Sequence, residues 1–538
     1  MPRLRSIGSA ALLTLFAACG GGGGGVGSGM MPAAPVPPLF TAVTQVRVSH
    51  PSTFAAGCDG MPASGTLYTD TAAEPYLAVN PTNPSNLIAA WQQNRWSDGG
   101  AQGLNLAASF DGGLTWTLSN APFSRCTGGN SGNAGDYARA TDVWLTVSPR
   151  NVVYALSLSF SGASLQPGSA SGMLVAQSQD GGTNWGTPTA LIQDGSQFFN
   201  DKGSITADPT DGNYVYAVWD RLTAQNAGPS YFAVTSNAGA SWQAARNIYD
   251  PGARNQTIGN QIVVLPGDVL VDIFTELDTA MNGTPTASVR AVRSTDHGMT
   301  WSAAVTLSDL NAVGTSDPAT GTAVRDGSDL VSVSVGPGGI IYVVWQDARF
   351  SGEHDGIAMT HSSDGGHTWS VPVQVEADHQ VQAFTPTIRV SADGVIAVTY
   401  FDLRNNVPSP TALLTDCWMV TSSDGGLTFR ETHLSGPFNL DLAPNSQGLF
   451  LGDYQSLADA NGAFLPFYVQ TDPGTQLRSD VFLSFPPAAA AQSAAGEAGS
   501  SAYSALAAPE GMALTTAARQ RVMARTRLVQ AQRLHRGS

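Results

Sequence analysis

The stretch SFDGGLTW at residues 109–116 recurs along the chain as SQDGGTNW (178–185), TSNAGASW (235–242), STDHGMTW (294–301), SSDGGHTW (362–369) and SSDGGLTF (422–429). The third position of each copy is Asp111, Asp180, Asn237, Asp296, Asp364 or Asp424, in steps of 69, 57, 59, 68 and 60 residues. Self-similarity at a regular period signals a propeller or a solenoid. An alternating apolar run, such as Leu104, Leu106 and Ala108, leads into each copy, and a short strand follows. Asp-Gly-Gly supplies positive φ at little steric cost, so the octapeptide reads as a hairpin turn. Its Asp carboxylate can accept backbone N–H bonds, and its aromatic residue can fill the gap between neighbouring sheets.

The rest of each unit repeats as well. An entry strand precedes a longer apolar strand that ends in polar residues: EPYLAV (74–79) with LIAAWQQNR (87–95), and TDVWLTV (141–147) with VVYALSLSF (152–160). The pattern returns at GSITADP (203–209), NQIVVLP (260–266), DLVSVSV (329–335) and TPTIRVS (385–391), each with its partner strand. A seventh copy, DYQSLAD (453–459) with FLPFYVQTD (464–472), ends in DVFLSF (480–485) and lacks a last strand. The early strand TQVRVS (44–49) can fill that place and close the ring, which removes the exposed sheet edges. The expectation is an all-β, seven-bladed β-propeller over 41–486. Six blades, with one unit an insertion, is the alternative.

The octapeptide resembles the Asp-box, or BNR (bacterial neuraminidase) repeat, of the sialidase superfamily. The resemblance implies a structural role for the six box residues. It also implies a glycoside hydrolase chemistry of the exo-α-sialidase kind, in which a Tyr nucleophile is activated by a Glu, an Asp is the acid/base, and three arginines hold the substrate carboxylate. Gly452-Asp453-Tyr454-Gln455-Ser456-Leu457 is similar to the segment around the nucleophile. RWSD at 95–98 is similar to the segment that bears the acid/base. By that resemblance Tyr454 is the nucleophile, Asp98 the acid/base, and Glu276 the strand-end glutamate on the same face. Arg95, Arg349, Arg404, Asp347 and Asp453 then become substrate-binding candidates. The family's Arg-Ile-Pro is missing; Glu74-Pro75-Tyr76 stands in its place. The alternative is a non-catalytic propeller that binds glycan or protein at the same mouth.

Strand order supports one polar face. The second strand of a unit ends where the first begins, and the octapeptide turns lie at the opposite face. Arg95, Asp220, Arg221, Glu276, Asp347, Arg349, Asp402 and Arg404 therefore gather with Glu74, Asp142, Asp201, Lys202, Asp329, Asp453 and Tyr454. Such a ring can bind an anionic or sugar ligand, or it can pin the blades together by Asp–Arg pairing.

Residues 1–19 carry Arg3 and Arg5, an apolar run from Ile7 to Phe16, and Ala-Ala-Cys19. This reads as a lipoprotein signal peptide with lipid on Cys19, too short for a spanning helix. Residues 20–40 form a Gly/Pro-rich tether. An exported, membrane-anchored lipoprotein, periplasmic or at the cell surface, is expected. Export predicts one disulfide; Cys58 and Cys126, in Gly-rich loops beside the first unit, are paired, and Cys417 in TDCWMV reads as a buried thiol. A net charge of −16 argues against nucleic acid. The expected partners are a glycan or glycoconjugate and, through the anchor, a membrane, with the chain itself a monomer. No cofactor is expected; calcium is the one metal such loops could take. An Ala/Ser/Gly linker (487–508) leads to a basic tail (509–538) with Arg519, Arg521, Arg525, Arg527, Arg533 and Arg536. Val522, Met523, Leu528, Val529 and Leu534 partly fit one helical face, suited to a membrane surface or an acidic partner.

Overall fold

The computed structural model describes residues 43–60, 65–472, 478–487, 502–509 and 512–534, which include strands throughout and one long helix. The signal peptide, Cys19 and the tether lie outside the described residues, as do most of the linker and Arg536.

The fold is all-β, and antiparallel meanders repeat along it. The first contains Leu67–Val79, Leu87–Trp96, Ala101–Ser109 and Thr117–Ser119. Later ones begin at Arg139–Val147, Phe198–Ala207, Gln256–Leu265, Ser332–Val335, Ala383–Val390 and Ser456–Ala460. A single pair, Ala101 with Ala140, joins the first two meanders into one eight-stranded sheet. The sheet that begins at Ser456 takes its last strand from the N-terminal side, where Thr44–Arg47 pairs with Phe482–Phe485. First strands pack side by side in chain order, and the one at Ser456–Ala460 packs on Leu67–Val79. Hydroxyl groups fasten these contacts: Ser204 Oγ donates to Asn260 O at 2.8 Å, and Leu77 N–H donates to Ser456 Oγ at 3.1 Å.

The six octapeptide turns share one hydrogen-bond plan. The first residue's hydroxyl accepts from the N–H four positions on, as Gly113 N–H to Ser109 Oγ at 2.9 Å and Gly366 N–H to Ser362 Oγ at 2.9 Å. The Asp or Asn oxygen accepts from the N–H of the residue before the aromatic: Thr115, Asn184, Ser241, Thr300, Thr368 and Thr428. These bonds hold the carboxyls of Asp111 and Asp364 well below the usual range. The aromatic residue packs on the preceding sheet. Trp116 lies 6.5 Å from Phe467, and Trp301 lies 5.6 Å from Phe232, ring centre to ring centre.

Buried Trp91, Trp219 and Trp345 fill the second strands, their indoles bonded to Gln93, Asn200 and Asp347. Cys58 and Cys126 form a disulfide with Cα atoms 4.9 Å apart, and Cys417 is a buried free thiol. Within the span read as linker, Tyr503–Ser504 and Leu506–Ala507 add short strands to two sheets. The basic tail forms a helix, Thr516–Arg533, capped by the Thr515 hydroxyl. No helix among the described residues is long and apolar enough to cross a membrane.

Candidate functional site

Five first strands carry the same bulge. Pairing with the second strand slips between Ala73 and Tyr76, Thr141 and Trp144, Asp201 and Ser204, Ile258 and Gln261, and Phe384 and Thr387. At each slip one residue has positive φ: Glu74 (49°), Asp142 (52°), Lys202 (41°), Gly259 (70°) and Thr385 (51°). Residues other than glycine seldom adopt this conformation, and a bulge re-aims the side chain it carries.

Three re-aimed side chains meet. Lys202 Nζ donates to Glu74 Oε1 at 3.0 Å, to Asp142 Oδ1 at 2.9 Å and to Asp453 Oδ2 at 2.8 Å. Arg325 holds Asp453 from the other side, Nε to Oδ1 at 2.8 Å and Nη2 to Oδ2 at 2.5 Å. Lys202 and its three carboxylate partners are all buried. Burial pushes the Glu74 carboxyl up to about 7 against the pull of Lys202. Burial would also raise Asp453, but Arg325 and Lys202 outweigh it and hold that carboxyl well below its ordinary range. Lys202 and Arg325 thus face three carboxylates, with Arg95 also acting on Glu74.

Tyr454 sits against this cluster. Its hydroxyl donates to Val143 O at 3.1 Å, and its ring lies 5.6 Å from Trp144 and 5.4 Å from Lys202 Nζ. Burial, reinforced by Glu74 and Asp142, raises its hydroxyl pKa well above the ordinary value. Asp98 lies elsewhere, paired with Arg139 at 2.7 Å. Glu276 accepts from the Tyr249 hydroxyl at 2.5 Å, with Arg290 at 3.5 Å, and burial raises it to about 7. No hydrogen bond or ion pair joins Tyr454, Asp98 and Glu276 among the described residues. The carboxyl groups that act on Tyr454 are those of Glu74, Asp142 and Asp453.

The arginines are engaged within the fold. Arg349 pairs with Asp347 at 2.7 Å, and Asp347 also accepts the Trp345 indole N–H. Arg404 binds Asp402 at 2.5 Å and Glu431 at 2.6 Å, with its guanidinium 3.8 Å from the Trp418 ring centre. Arg95 is buried, bonded to Gln92 and Ser446 and stacked over Phe450. Of the sequence candidates, the structure brings together Asp453 and Tyr454, joined by Glu74, Asp142 and Lys202. Arg325 went unmarked because it lies outside the repeated pattern. The signal for Lys202 was present, since it is the only lysine in the chain.

The tail helix lies on this polar face. Arg533 pairs with Asp201 at 2.9 Å and also with Asp220. Arg525 pairs with Asp326 at 3.1 Å and Asp329 at 3.7 Å. A cavity of about 30 Å3 remains between Arg525, Arg533, Arg325 and Asp453. A larger cavity, about 520 Å3, lies among the first strands and is lined by Tyr76, Trp144, Arg389 and Asp459. Among the described residues no group of three or more His, Cys, Asp or Glu could hold a metal ion.

The BNR repeat-like domain family matches residues 230–456. No curated protein matches the chain. Solved structures that are similar include the alpha-L-arabinanase of Penicillium chrysogenum complexed with arabinobiose, at 12% identity. It covers 83% of this chain and 98% of its own, with a TM-score of 0.44. The Hadza microbial sialidase Hz136 is 14% identical, covering 75% and 77%, with a TM-score of 0.41. A Trypanosoma rangeli sialidase in complex with 2,3-difluorosialic acid is 13% identical, covering 83% and 57%, with a TM-score of 0.39. At these identities and scores the likeness says nothing about chemistry.

Proposed function

Taking the chain as a BNR-repeat protein of the sialidase superfamily, we propose that it is a seven-bladed propeller that binds a neutral glycan on its polar face without hydrolysing sialosides. The observation that carries this reading is the pairing of Arg349 and Arg404 with carboxylates of their own sheets. A sialoside would need guanidinium groups for its carboxylate. The face is richer in carboxylates: Asp201, Asp220, Asp326 and Asp329, which in this structure pair with arginines of the tail helix. Carboxylates accept hydrogen bonds from sugar hydroxyls and repel an anionic sugar.

A second reading has one observation in its favour. Tyr454 packs against the cluster that holds Glu74, with its ring 5.4 Å from Lys202 Nζ, so a Tyr and a Glu occur in one site as a Tyr nucleophile and its base would. The full chain, incubated with a fluorogenic sialic acid α-ketoside beside its Tyr454→Phe variant, separates the two. We expect no release above buffer from either protein. Turnover by the wild type that Tyr454→Phe abolishes would replace the binding reading with a hydrolase.

A further inference from the structure

The sequence presents the basic tail as a segment in search of a membrane or an acidic partner. In the structure its acidic partner is the chain itself. Between residues 512 and 534 there are five arginines and no acidic residue. The helix buries Ala518, Thr526, Val529, Gln530 and Arg533, a stripe of spacing three and four in which only two members are apolar. Leu528 is 47% exposed; Arg519 is exposed, and the exposed Arg521 and Arg527 donate to Glu353 O and Gly283 O. Apolar packing and charge share the contact. Arg533 enters between Asp201 and Asp220, both wholly buried, and donates to Gln256 Oε1 at 2.8 Å and Thr257 O at 3.0 Å. Arg525 meets Asp326 and Asp329, and Gln530 donates to Leu277 O at 3.2 Å.

Two physical points make this helix unlike an ordinary structural element. Its apolar contact is narrow: Ala518 and Val522, with Leu514, pack on Val313 and Ala348, and Val529 joins the cluster of Trp345. Displacing the helix returns the charges on both sides to water, so desolvation offsets part of the Coulomb gain of its ion pairs, and salt weakens them. Its position is also obstructive: the cavity of about 30 Å3 left beneath it is room for roughly one water and no sugar ring.

We propose that the C-terminal helix is a removable occupant of the glycan-binding face, its arginines filling the carboxylates that would otherwise accept a neutral sugar's hydroxyls. This rests on the binding reading above. With Arg525 and Arg533 seated, the face is closed; with the helix displaced, Asp201, Asp220, Asp326 and Asp329 become acceptors for hydroxyl groups. A closed population that dominates reduces apparent affinity by the fraction open.

The test uses the full chain with a specific protease site placed at residues 510–511. It is folded intact, then cut, and the fragment from 512 onward is separated in high salt. Neutral-glycan array binding is compared for intact and tail-free protein. The synthetic peptide 512–534 is then added back, as wild type and as Arg533→Ala. The expected result is glycan binding at least about tenfold tighter in the tail-free form. The wild-type peptide should reverse it, and the Arg533→Ala peptide should be about tenfold or more weaker. A fragment that stays bound in high salt, or equal glycan binding by both forms, overturns the proposal. If no glycan binds either form while the wild-type peptide rebinds in a salt-dependent way, the helix is a removable occupant and the glycan reading is the part that fails. As a control without cutting, amide exchange over 516–533 should rise in Arg525→Ala/Arg533→Ala. Unchanged protection there would mark the helix as permanent and overturn the proposal.

Discussion

Lys202 carries the only ammonium side chain in the chain, and Glu74, Asp142 and Asp453 converge on it from the first two meanders and from the loop before Ser456. It can reach them because its strand bulges at a positive φ of 41° and turns the side chain inward. Removing one member of a buried ionic set leaves the others uncompensated, which costs about 3–5 kcal/mol. Lys202→Gln should lose about that much in chemical unfolding. A loss under about 1 kcal/mol would mean that water enters and solvates the carboxylates. The identity of Lys202 was legible in the sequence, as a lone lysine at a strand start. Strand order also put residues 74, 142 and 453 on the same face; only the stacking of the sheets decided that these three acids, of all those in the ring, meet Lys202.

The octapeptide turn works within eight residues, so the element that repeats was readable at once. Ser and Asp side chains replace backbone partners inside the turn, and the two glycines take positive φ. The two glycines are not equivalent. A Cβ on Gly112 meets nothing within 4 Å, whereas one on Gly113 would stand 2.3 Å from Leu483 Cδ2 of a neighbouring sheet. Gly112→Ala should cost about 1 kcal/mol, the conformational penalty alone. Gly113→Ala should cost about 1–3 kcal/mol more through overpacking. Equal midpoints in denaturant would show that the sheets do not close on the turn at Gly113. The tail helix is the opposite case. Its apolar residues predict a face with Val522, Met523, Leu528, Val529 and Leu534; Val529 is buried and Val522 packs beside Ala518, but Leu528 is exposed, and Thr526, Gln530 and Arg533 complete the buried stripe. That stripe is selected by acids on distant strands, which no periodicity within the helix records.

At the scale of the whole molecule the buried acids set a pH dependence. Burial raises the carboxyls of Glu376 and Asp355 to about 7, the latter helped by Asp326. A carboxyl raised on folding contributes stability that is complete below its unfolded value and is lost as pH rises through its folded one. The Asp-box carboxyls, lowered by hydrogen bonds as at Asp364, act in the opposite sense and matter only toward strong acid. The thermal midpoint should therefore be higher at about pH 5 than at about pH 8. Glu376→Gln with Asp355→Asn should flatten the difference. A midpoint that rises between those two pH values would contradict the burial argument. The sequence by itself determined the repeat, the strand order within each unit, the polar face and the turn chemistry, since each depends on neighbours a few residues apart. The tertiary structure alone decided which charges meet. It closed Arg349 and Arg404 on their own sheets, aimed Lys202 at three carboxylates far apart in sequence and laid the basic tail over the polar face. Ion pairing depends on distance and burial across the stacked sheets, and neither is written in the order of residues along one strand.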